Sequence, residues 1–508
     1  PVVETPVVET PTVVAGVQKS LLSTTDLQTG GAGDDTFYGL NTGDFATGDI
    51  VDGGDGTDTM IAVFTSGDSA TQTIRPVLSN LETVQLTITD GDGATTVATG
   101  DTTTLNLDQS TGVTNVVFGN KAFDTNADTI VLSGVTTAVG VTIQDDAGAA
   151  SANANNYTMT YSDAATGTAD TASVAVKMTT ADGKLGNVTV ANVETVTVSA
   201  SGGFDASYAL VADAATSITL NAAADSLSTD TNVGAIDLAA AAATSLTINA
   251  SNDVTITDAG AASAKLFNVT ANAVTATSEI TLTSLTPTAT ATSDTFTVTA
   301  TGAGTVVYTA EDTNFGTQST TNADSIVVNA ADNTGGVTAD LSNVTGSGEP
   351  DTLTVTGGTG DDTVIVGAAS LDEKDTIALG GGTGDTLQAT VAWSTNASED
   401  IFYDSDDSDA TDDPTISGVE IASIILTDST GAQTVDASSA AFAGTLELKG
   451  DIENAATTIN DIKVGQTVKL GTTLDMTDAG SAVILNVLGA TSSAPATSPK
   501  PVLSLGQN

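Results

Sequence analysis

The stretch AATSITLNA, at Ala214–Ala222, returns 28 residues later as AATSLTINA, at Ala242–Ala250. Both copies alternate apolar and polar residues, which is the pattern of a β-strand with one buried face. Related runs follow as VTITDA from Val254, FNVTANA from Phe267 and ITLTSL from Ile280. Turn-forming Gly, Asn and Asp residues bound these runs, so the sequence predicts an all-β fold. The irregular offsets fit either a β-solenoid of stacked rungs or a β-sandwich, within an elongated multi-domain architecture.

Three segments fit the nonapeptide GGxGxDxUx, in which U is a large apolar residue: GGAGDDTFY from Gly30, GGDGTDTMI from Gly53 and GGTGDDTVI from Gly357. Glycines permit backbone angles that turn several carbonyl oxygens toward one point, and the sixth residue supplies a carboxylate. Calcium takes about six to eight oxygen ligands in irregular geometry, so such loops suit calcium better than magnesium. The alternative is an ordinary Gly/Asp turn before a strand, which one motif would favour but three full matches do not.

The candidate calcium ligands are therefore glycines and carboxylates of these motifs. They are Gly31, Gly33, Asp35, Gly54, Asp55, Gly56, Asp58, Gly358, Gly360, Asp362 and Asp385. Asp35, Asp58 and Asp362 hold the sixth position and are the primary ligands, while Asp34, Asp55 and Asp361 are secondary. A fourth segment, from Gly380, keeps Asp385 but has Thr383 in place of a glycine. Because 39–47 retains only Gly39 and Asp44 of the pattern, we expect isolated or paired calcium turns and no long uninterrupted roll.

The two ends of the chain carry related modules, because Gly30–Met60 aligns without gaps on Gly357–Leu387. The identities fall on turn-forming residues and carboxylates, which are the positions that a cation-binding loop needs. A glutamate in a strand context recurs after each module and once between them, as Glu82, Glu194 and Glu420. This glutamate fits two roles, calcium binding or a polar ladder between rungs.

Other acidic positions have a simpler interpretation. The pattern Asp-Thr/Ser-apolar recurs at predicted strand entries, where an aspartate caps a turn through backbone hydrogen bonds; the aspartates are Asp128, Asp294, Asp324, Asp351 and Asp375. The acidic run 404–413 fits a solvated loop or a site for loosely held ions equally well. The segment 90–93, of sequence DGDG, is a predicted turn.

The charge of the chain restricts its partners. Acidic residues number 63 against 11 basic ones, which gives a formal net charge of −52. Self-repulsion of this size opposes folding and close packing, so bound cations or high ionic strength are implied. Arg75 is the only arginine and the lysines form no basic stripe, so nucleic acid is a poor partner for this chain and an anionic membrane surface does not suit it either. The chain contains no cysteine and no histidine, which removes disulfides, thiol nucleophiles and Cys/His zinc sites.

No run of about 18 apolar residues occurs, so the sequence predicts no membrane-spanning helix. Pro1 is followed by neither a basic segment nor an apolar signal core, which predicts a processed or partial chain, or export through another signal. The organisation that we predict has six parts: a Pro-rich extended spacer (1–18), a first calcium module (19–100), a repetitive Thr/Ala/Val-rich β region (101–350), a second calcium module (351–430), a C-terminal β domain (431–491) and a loose tail (492–508).

The three glycine-aspartate motifs resemble the repeats-in-toxin calcium motif. Their combination with NLETVQLT from Asn80 and NVETVTVS from Asn192, amid Thr/Ala/Val-rich strands, is similar to calcium-dependent bacterial surface-layer proteins. The motifs cover about a tenth of the chain, and the composition resembles that family over most of its length. The resemblance implies type I export, folding triggered by extracellular calcium, and self-assembly into a lattice around the cell. It also implies further copies of the chain and a cell-surface glycan or lipopolysaccharide as partners.

Two other classes of function are weighed against this one. A repeats-in-toxin protease or lipase is excluded, because a zinc HExxH site and a Ser/His/Asp triad both need histidine. A carboxylate-based glycosidase is disfavoured, because Trp393 is the only tryptophan and few aromatic rings are available to stack on a sugar. A calcium-stabilised extracellular filament or adhesin uses the same β architecture and stays open as an alternative.

Overall fold

The structure is a computed structural model. It describes residues 15–66, 71–90, 102–120, 128–145, 155–164, 166–167, 169–178, 185–201, 208–223, 232–258, 266–283, 285, 295–310, 325–343, 352–367, 371–391, 398–403, 413–426, 433–450, 456–474 and 482–487. The chain divides into two compact units. One consists of Pro1–Ala215 and Ala224–Gly234, and the other of Thr216–Ala223 and Ala235–Asn508.

The first unit is built from short strands. They are β1 Gln18–Ser20, β2 Leu27–Gly31, β3 Thr36–Gly39, β4 Ile50–Gly54, β5 Thr59–Ser66, β6 Gln72–Ile74, β7 Val77–Ser79, β8 Thr83–Asp90, β9 Thr102–Asn106, β10 Asn115–Asn120, β11 Thr129–Val135, β12 Gly140–Asp145, β13 Asn156–Tyr161, β14 Thr171–Met178, β15 Val188–Ala191, β16 Thr195–Ser201 and β17 Tyr208–Val211.

The second unit continues in the same manner, with β19 belonging to it from Ala235 onward. Its strands are β18 Ser217–Ala223, β19 Asn232–Ala239, β20 Ser245–Ala250, β21 Asp253–Asp258, β22 Asn268–Ala273, β23 Glu279–Thr283, β24 Thr295–Gly302, β25 Thr305–Thr309, β26 Ser325–Asn333, β27 Val337–Asp340, β28 Thr352–Thr356, β29 Thr363–Gly367, β30 Thr376–Ala378, β31 Thr386–Val391, β32 Ser398–Asp400, β33 Thr415–Ser417, β34 Ile421–Leu426, β35 Gln433–Asp436, β36 Thr445–Gly450, β37 Ala456–Ile462, β38 Thr467–Leu470 and β39 Ala482–Val487. A short 3-10 helix, Ser438–Ala440, interrupts them.

Each unit is a parallel β-solenoid. In the first unit, β1, β3, β5, β8, β10, β12, β14 and β16 form one sheet, β6, β9, β11, β13, β15 and β17 a second, and β2, β4 and β7 a third. In the second unit, one sheet runs from β18 through the even-numbered strands to β30 and β33, and another runs from β19 through β31 to β34, β36 and β38. A smaller sheet contains β32, β35, β37 and β39. Consecutive strands mostly lie in different sheets, so the chain winds in coils; the all-β prediction is confirmed, with a solenoid and not a sandwich.

The repeats found in the sequence are neighbouring coils. β18 and β20 pair in parallel with Ser217 opposite Ser245, and β20 pairs with β22 with Ser245 opposite Asn268. β21 pairs with β23 in the same way, with Val254 opposite Ile280. Related sequences stack because each coil places the same residue types against those of the next coil.

Side chains alternate between the interior and the solvent along each strand, as the pleat requires. In β20, Leu246 and Ile248 are 1% and 0% exposed, whereas Thr247 between them is half-exposed. Val, Ile, Leu and Ala fill the interior, and a few aromatic rings widen it locally, as where Phe118 and Tyr157 lie with ring centroids 6.0 Å apart. Threonine suits the outer positions because a β-branched side chain fits a strand and its hydroxyl is solvated.

The solenoid does not depend on the glycine-aspartate motif. The parallel pairs β10–β12, β11–β13, β22–β24 and β25–β27 form where the motif does not occur. The motif itself occurs only in separate places along the sequence, as expected. The expectation of no long roll is wrong for the fold, because strand alternation alone sustains coils that lack the motif. The Pro-rich repeats, most of 404–413 and the segment 492–508 lie outside the described residues. Within the part that is described, the structure has no helix with the length and apolarity needed to cross a membrane.

The inward and outward positions of β20 can be tested by a pair of substitutions. Leu246→Ala removes buried methyl groups and is expected to lower the free energy of unfolding by about 2–4 kcal/mol. Thr247→Ala changes an outward side chain and should lower it by less than about 1 kcal/mol. Denaturant unfolding followed by circular dichroism measures both. Equal losses in the two variants would contradict the assigned orientation.

Candidate metal centres

An acidic residue lies directly before the first residue of several strands that are neighbours in one sheet. Asp35 precedes β3, Asp58 precedes β5 and Glu82 precedes β8, and these three strands pair in register. The acidic residues therefore lie one above another on successive coils; we call these three the first column. The Asp35 N–H donates to Asp58 Oδ1 over 2.6 Å, and the Asp58 N–H donates to Glu82 Oε2 over 2.6 Å. Each carboxylate thus caps the backbone of the coil before it.

The second motif region repeats this arrangement. Asp362 precedes β29, Asp385 precedes β31 and Glu420 precedes β34; we call these three the second column. The Asp362 N–H donates to Asp385 Oδ1 over 2.8 Å, and the Asp385 N–H donates to Glu420 Oε2 over 3.1 Å. The duplicated sequence therefore forms the same hydrogen-bond pattern in both places.

The third recurrent glutamate behaves like the other two. Glu194 precedes β16, and its Oε2 accepts the N–H of Asp170, which precedes β14, over 2.9 Å. Of the two roles that the sequence allows for these glutamates, the geometry places all three in a polar ladder between coils.

The two aspartates of each column are buried. Asp35 and Asp362 are each 2% exposed, and Asp58 and Asp385 are fully buried. Glu82 is half-exposed and Glu420 is exposed. Burial raises the pKa of Asp58, Asp362 and Asp385 above the ordinary value, and the acidic neighbours in each column raise it further. Backbone N–H donors partly offset this rise, because they favour the ionised carboxylate.

No described cationic side chain neutralises either column. The ion pairs between described residues join Arg75 to Asp108, Lys374 to Asp372 and Glu373, and Lys449 and Lys469 to Glu447. Each column therefore stacks carboxyl groups, two of them buried, whose partners among the described residues are backbone N–H groups. Such a stack is unfavourable unless protons or a bound cation neutralise it.

The motif glycines allow neighbouring coils to approach closely at these corners. Gly31 and Gly54 end β2 and β4 and lie opposite each other. Gly54 has φ +97°, and a Cβ there would collide with the Gly31 carbonyl oxygen. A Cβ on Gly358 would likewise collide with the Asn333 carbonyl oxygen. Glycine is needed because adjacent main chains occupy the space of a side chain.

The remaining predicted ligands lie around the turns. Gly33, Asp55 and Gly56 form the bends before β3 and β5, and Gly360 forms the bend before β29. Asp55 is exposed, and its N–H donates to the Gly31 carbonyl over 2.9 Å.

The secondary aspartates Asp34 and Asp361 accept backbone hydrogen bonds from the next coil. Asp34 Oδ1 accepts the Thr57 N–H over 2.9 Å. Asp361 Oδ1 accepts the Thr383 and Gly384 N–H groups over 2.9 and 3.0 Å. These bonds hold the pKa of Asp361 below its ordinary value. Both aspartates are exposed, so neither shares the buried environment of the columns.

The oxygen atoms around these turns can be compared with the ligands that calcium prefers. Asp58 Oδ2 is buried and accepts no hydrogen bond among the described residues. It lies against Gly53, where a Cβ would collide both with it and with the Asn80 carbonyl oxygen. A free carboxylate oxygen beside main-chain carbonyls fits a hard cation that prefers oxygen ligands. Asp58 is therefore the residue that fits calcium best.

The fit at the other motif residues is weaker. Asp362 Oδ1 and Oδ2 accept the Val337 and Gly358 N–H groups over 2.7 and 2.9 Å. Asp385 Oδ2 accepts the Gly382 N–H over 3.1 Å. Nowhere in the described ranges do three or more acidic side chains converge as metal ligands. A cation at the second column would have to displace these N–H donors or bind mainly through backbone carbonyls.

A further column escaped the motif search. Asp26 precedes β2 and Asp49 precedes β4, and the Asp26 N–H donates to Asp49 Oδ1 over 3.0 Å. Asp49 is fully buried, and burial raises its pKa. Asp26 and Asp49 have the same 23-residue separation as Asp35 and Asp58. Only the spacing of these two aspartates could have identified them from the sequence, because the glycine pattern is absent from their turns.

The turn-capping prediction is confirmed at Asp375, which precedes β30 and is 4% exposed. Its Oδ1 accepts the Leu353 N–H over 2.7 Å and its Oδ2 accepts the Asp372 N–H over 3.0 Å. At Asp128, which precedes β11, the backbone N–H donates to Asn155 Oδ1 over 3.1 Å. Asp294, Asp324 and Asp351 lie outside the described residues.

Comparison of the chain with protein-family models finds no match. Comparison with curated proteins finds none either. Function is therefore inferred from the columns and the fold that positions them.

The burial of Asp375 predicts how the stability of the protein changes with pH. Desolvation raises its pKa from 3.8 to about 6, so between these values the folded chain binds more protons than the unfolded chain. Stability from this group therefore falls as pH rises through the window, by about 2–3 kcal/mol in full. Asp375→Asn removes the titration. The stability of the wild type relative to Asp375→Asn should fall between pH 4 and 7, as measured by urea unfolding at each pH.

A matched control is Glu373→Gln, which removes an exposed carboxylate from the same turn. This control reports how much of the change comes from removing any carboxylate of the turn, so the change with pH should be larger for Asp375→Asn. A constant difference for Asp375→Asn would contradict the assigned burial effect.

Proposed function

We propose that the chain is a structural cell-surface protein that self-assembles into a surface layer when calcium is bound. The observation that carries this proposal is the stacking of buried carboxylates on successive coils, with Asp58 Oδ2 lacking a partner. Cations supplied by the medium are the simplest way to neutralise them, since no described lysine or arginine does so.

The net charge of −52 extends the same requirement to association. Two copies of so acidic a chain repel one another unless ions screen or bridge them. Calcium would act at two levels, by neutralising buried carboxylates within a coil and by lowering repulsion between copies. Binding to the folded state alone would also couple calcium to folding. Folding and assembly would then both await the calcium concentrations found outside cells.

A structural role is favoured over catalysis by the state of the carboxylates. The buried members of the two columns accept backbone N–H bonds from neighbouring coils, so they are committed to the fold and withdrawn from solvent. A glycosidase needs two carboxyl groups facing a shared cleft about 5–9 Å apart, and these columns provide no such open pair. Cell-surface glycan or lipopolysaccharide is proposed as the anchor, on the family resemblance alone.

The test is a calcium titration of folding and assembly with variants of the motif aspartates. Replacing Asp35, Asp58 and Asp362 together by Asn should raise the calcium concentration needed for both, because each substitution removes a negative charge from a buried position. Asp58→Asn alone should give the largest share of the shift. Thermal unfolding reports folding, and negative-stain microscopy reports assembly.

Asp332→Asn is the control, because it removes one exposed negative charge and should leave the titration unchanged. Planar arrays on calcium addition are the expected assemblies, whereas one-dimensional growth would identify the filament alternative. An unchanged titration in the triple variant, or a wild type that stays folded and metal-free in chelator, would contradict the calcium role.

A further inference from the structure

The sheet of the second unit that runs from β18 to β33 has an outward surface of unusual composition. Strand pairing aligns two rows of outward side chains across it, which we call the uncharged face. The first row is Ser217, Ser245, Asn268, Thr297, Val327, Thr354, Thr376 and Thr415, and the second is Thr219, Thr247, Thr270, Thr299, Asn329, Thr356, Ala378 and Ser417. Every residue of both rows is half-exposed or exposed, and none is charged.

The other long sheet of the same unit provides a contrast within one molecule. Its exposed or half-exposed positions include Asp253, Glu279, Asp340 and Lys469. The coils are the same and the strand periodicity is the same, yet these charges have no counterpart in the two rows of the uncharged face. Beside the uncharged face, the described strands carry a charge at Asp332, which lies beyond a register shift in β26.

An uncharged surface is significant in a chain with 63 acidic residues. A second copy that contacts these two rows would meet no charged side chain in either row. Charged residues are also depleted from the centres of protein interfaces in general. We propose that the uncharged face is the surface through which one copy of the chain docks onto a second copy. This inference rests on the proposed self-assembly.

The chemistry of the face makes it complementary to itself. Ser, Thr and Asn side chains each donate and accept hydrogen bonds, so two copies can pair without a second kind of surface. Asn249 already donates to Asn221 over 3.0 Å, and Asn272 donates to Asn249 over 3.2 Å, beside the face. These lateral bonds hold the amides in a regular ladder and limit the entropy lost on docking.

The size of the face suits a weak contact that is repeated many times. Strands about 4.8 Å apart and about 17 Å long give a surface on the order of 600 Å². Burial of this area on both partners lies at the lower limit of specific interfaces. One contact alone would be transient, whereas a lattice that engages many contacts would be stable through multivalency. A neutral polysaccharide would also avoid repulsion, but neither row carries an aromatic ring to stack on a sugar.

Two added charges on the face test the proposal in the full chain with calcium. In the face variant, Thr247→Asp and Thr299→Asp flank Thr270 in one row. In the control, Thr281→Asp and Thr338→Asp flank Val307 on the other long sheet of the second unit. The control therefore matches the face variant in residue type, spacing and added charge. The face variant should need at least about tenfold more protein to assemble, because like charges would meet at the contact. The control should assemble as the wild type does, by sedimentation velocity and microscopy.

The results separate this inference from the proposed function. If wild type and face variant assemble alike, the inference is overturned while calcium-dependent assembly stands. If the wild type forms no assemblies in calcium, both fail. If only binding to cell-surface glycan is lost in the face variant, the face belongs to the glycan and the docking of a second copy is overturned. Circular dichroism and the calcium dependence of thermal unfolding establish that both variants fold.

Because the chain has no cysteine, single thiols give a second measurement that adds no charge. Thr270→Cys lies in the centre of the face, and Val307→Cys is its counterpart on the other sheet. On calcium-induced assembly, the maleimide labelling rate of Thr270→Cys should fall by about tenfold or more relative to the unassembled chain at low concentration. Val307→Cys should label at the same rate in both states. Equal rates for Thr270→Cys in the two states would overturn the proposal.

Discussion

The hydrogen bond from a backbone N–H to the carboxylate of the next coil is the interaction on which the corners of this solenoid depend. It joins Asp35 to Asp58 and Asp58 to Glu82, and it recurs between Asp362 and Asp385. The bond satisfies an N–H at the point where the chain turns into a strand, where no ladder partner is available. It also fixes the register of one coil on the next in these places, because each of these acidic residues directly precedes the first residue of a strand.

The same interaction creates an electrostatic constraint. Coils stack about 4.8 Å apart, so a carboxylate on each coil brings like charges close together in a region from which water is excluded. Burial raises the pKa of Asp58 and Asp385, and the neighbouring carboxylates raise it further. Protons or bound cations would relieve this repulsion. Architecture and the proposed requirement for calcium therefore have one physical origin, and the glycines that let the coils approach are part of it.

Much of the fold could be read from the sequence, because period-2 alternation and internal repeats identify strands that stack on their own relatives. The choice between solenoid and sandwich could not, since alternation is the same in both and only strand pairing distinguishes them. At the site, the motif identified Asp35 and Asp58, yet it missed Asp26 and Asp49, whose turns lack the glycines. The three glutamates were found by repetition, but their bonds to Asp58, Asp170 and Asp385 depend on parallel register, which no single segment encodes.

The most direct test is calorimetric titration of calcium into the chelator-treated chain at pH 7, with the wild type and with Asp58→Asn. Saturable binding that is clearly weaker in Asp58→Asn is expected, because this substitution removes a buried carboxylate that has an oxygen without a hydrogen-bond donor among the described residues. Equal binding by the two proteins would place calcium on exposed carboxylates instead of the columns. A folded chain that gives no binding heat and holds no calcium would contradict the central claim.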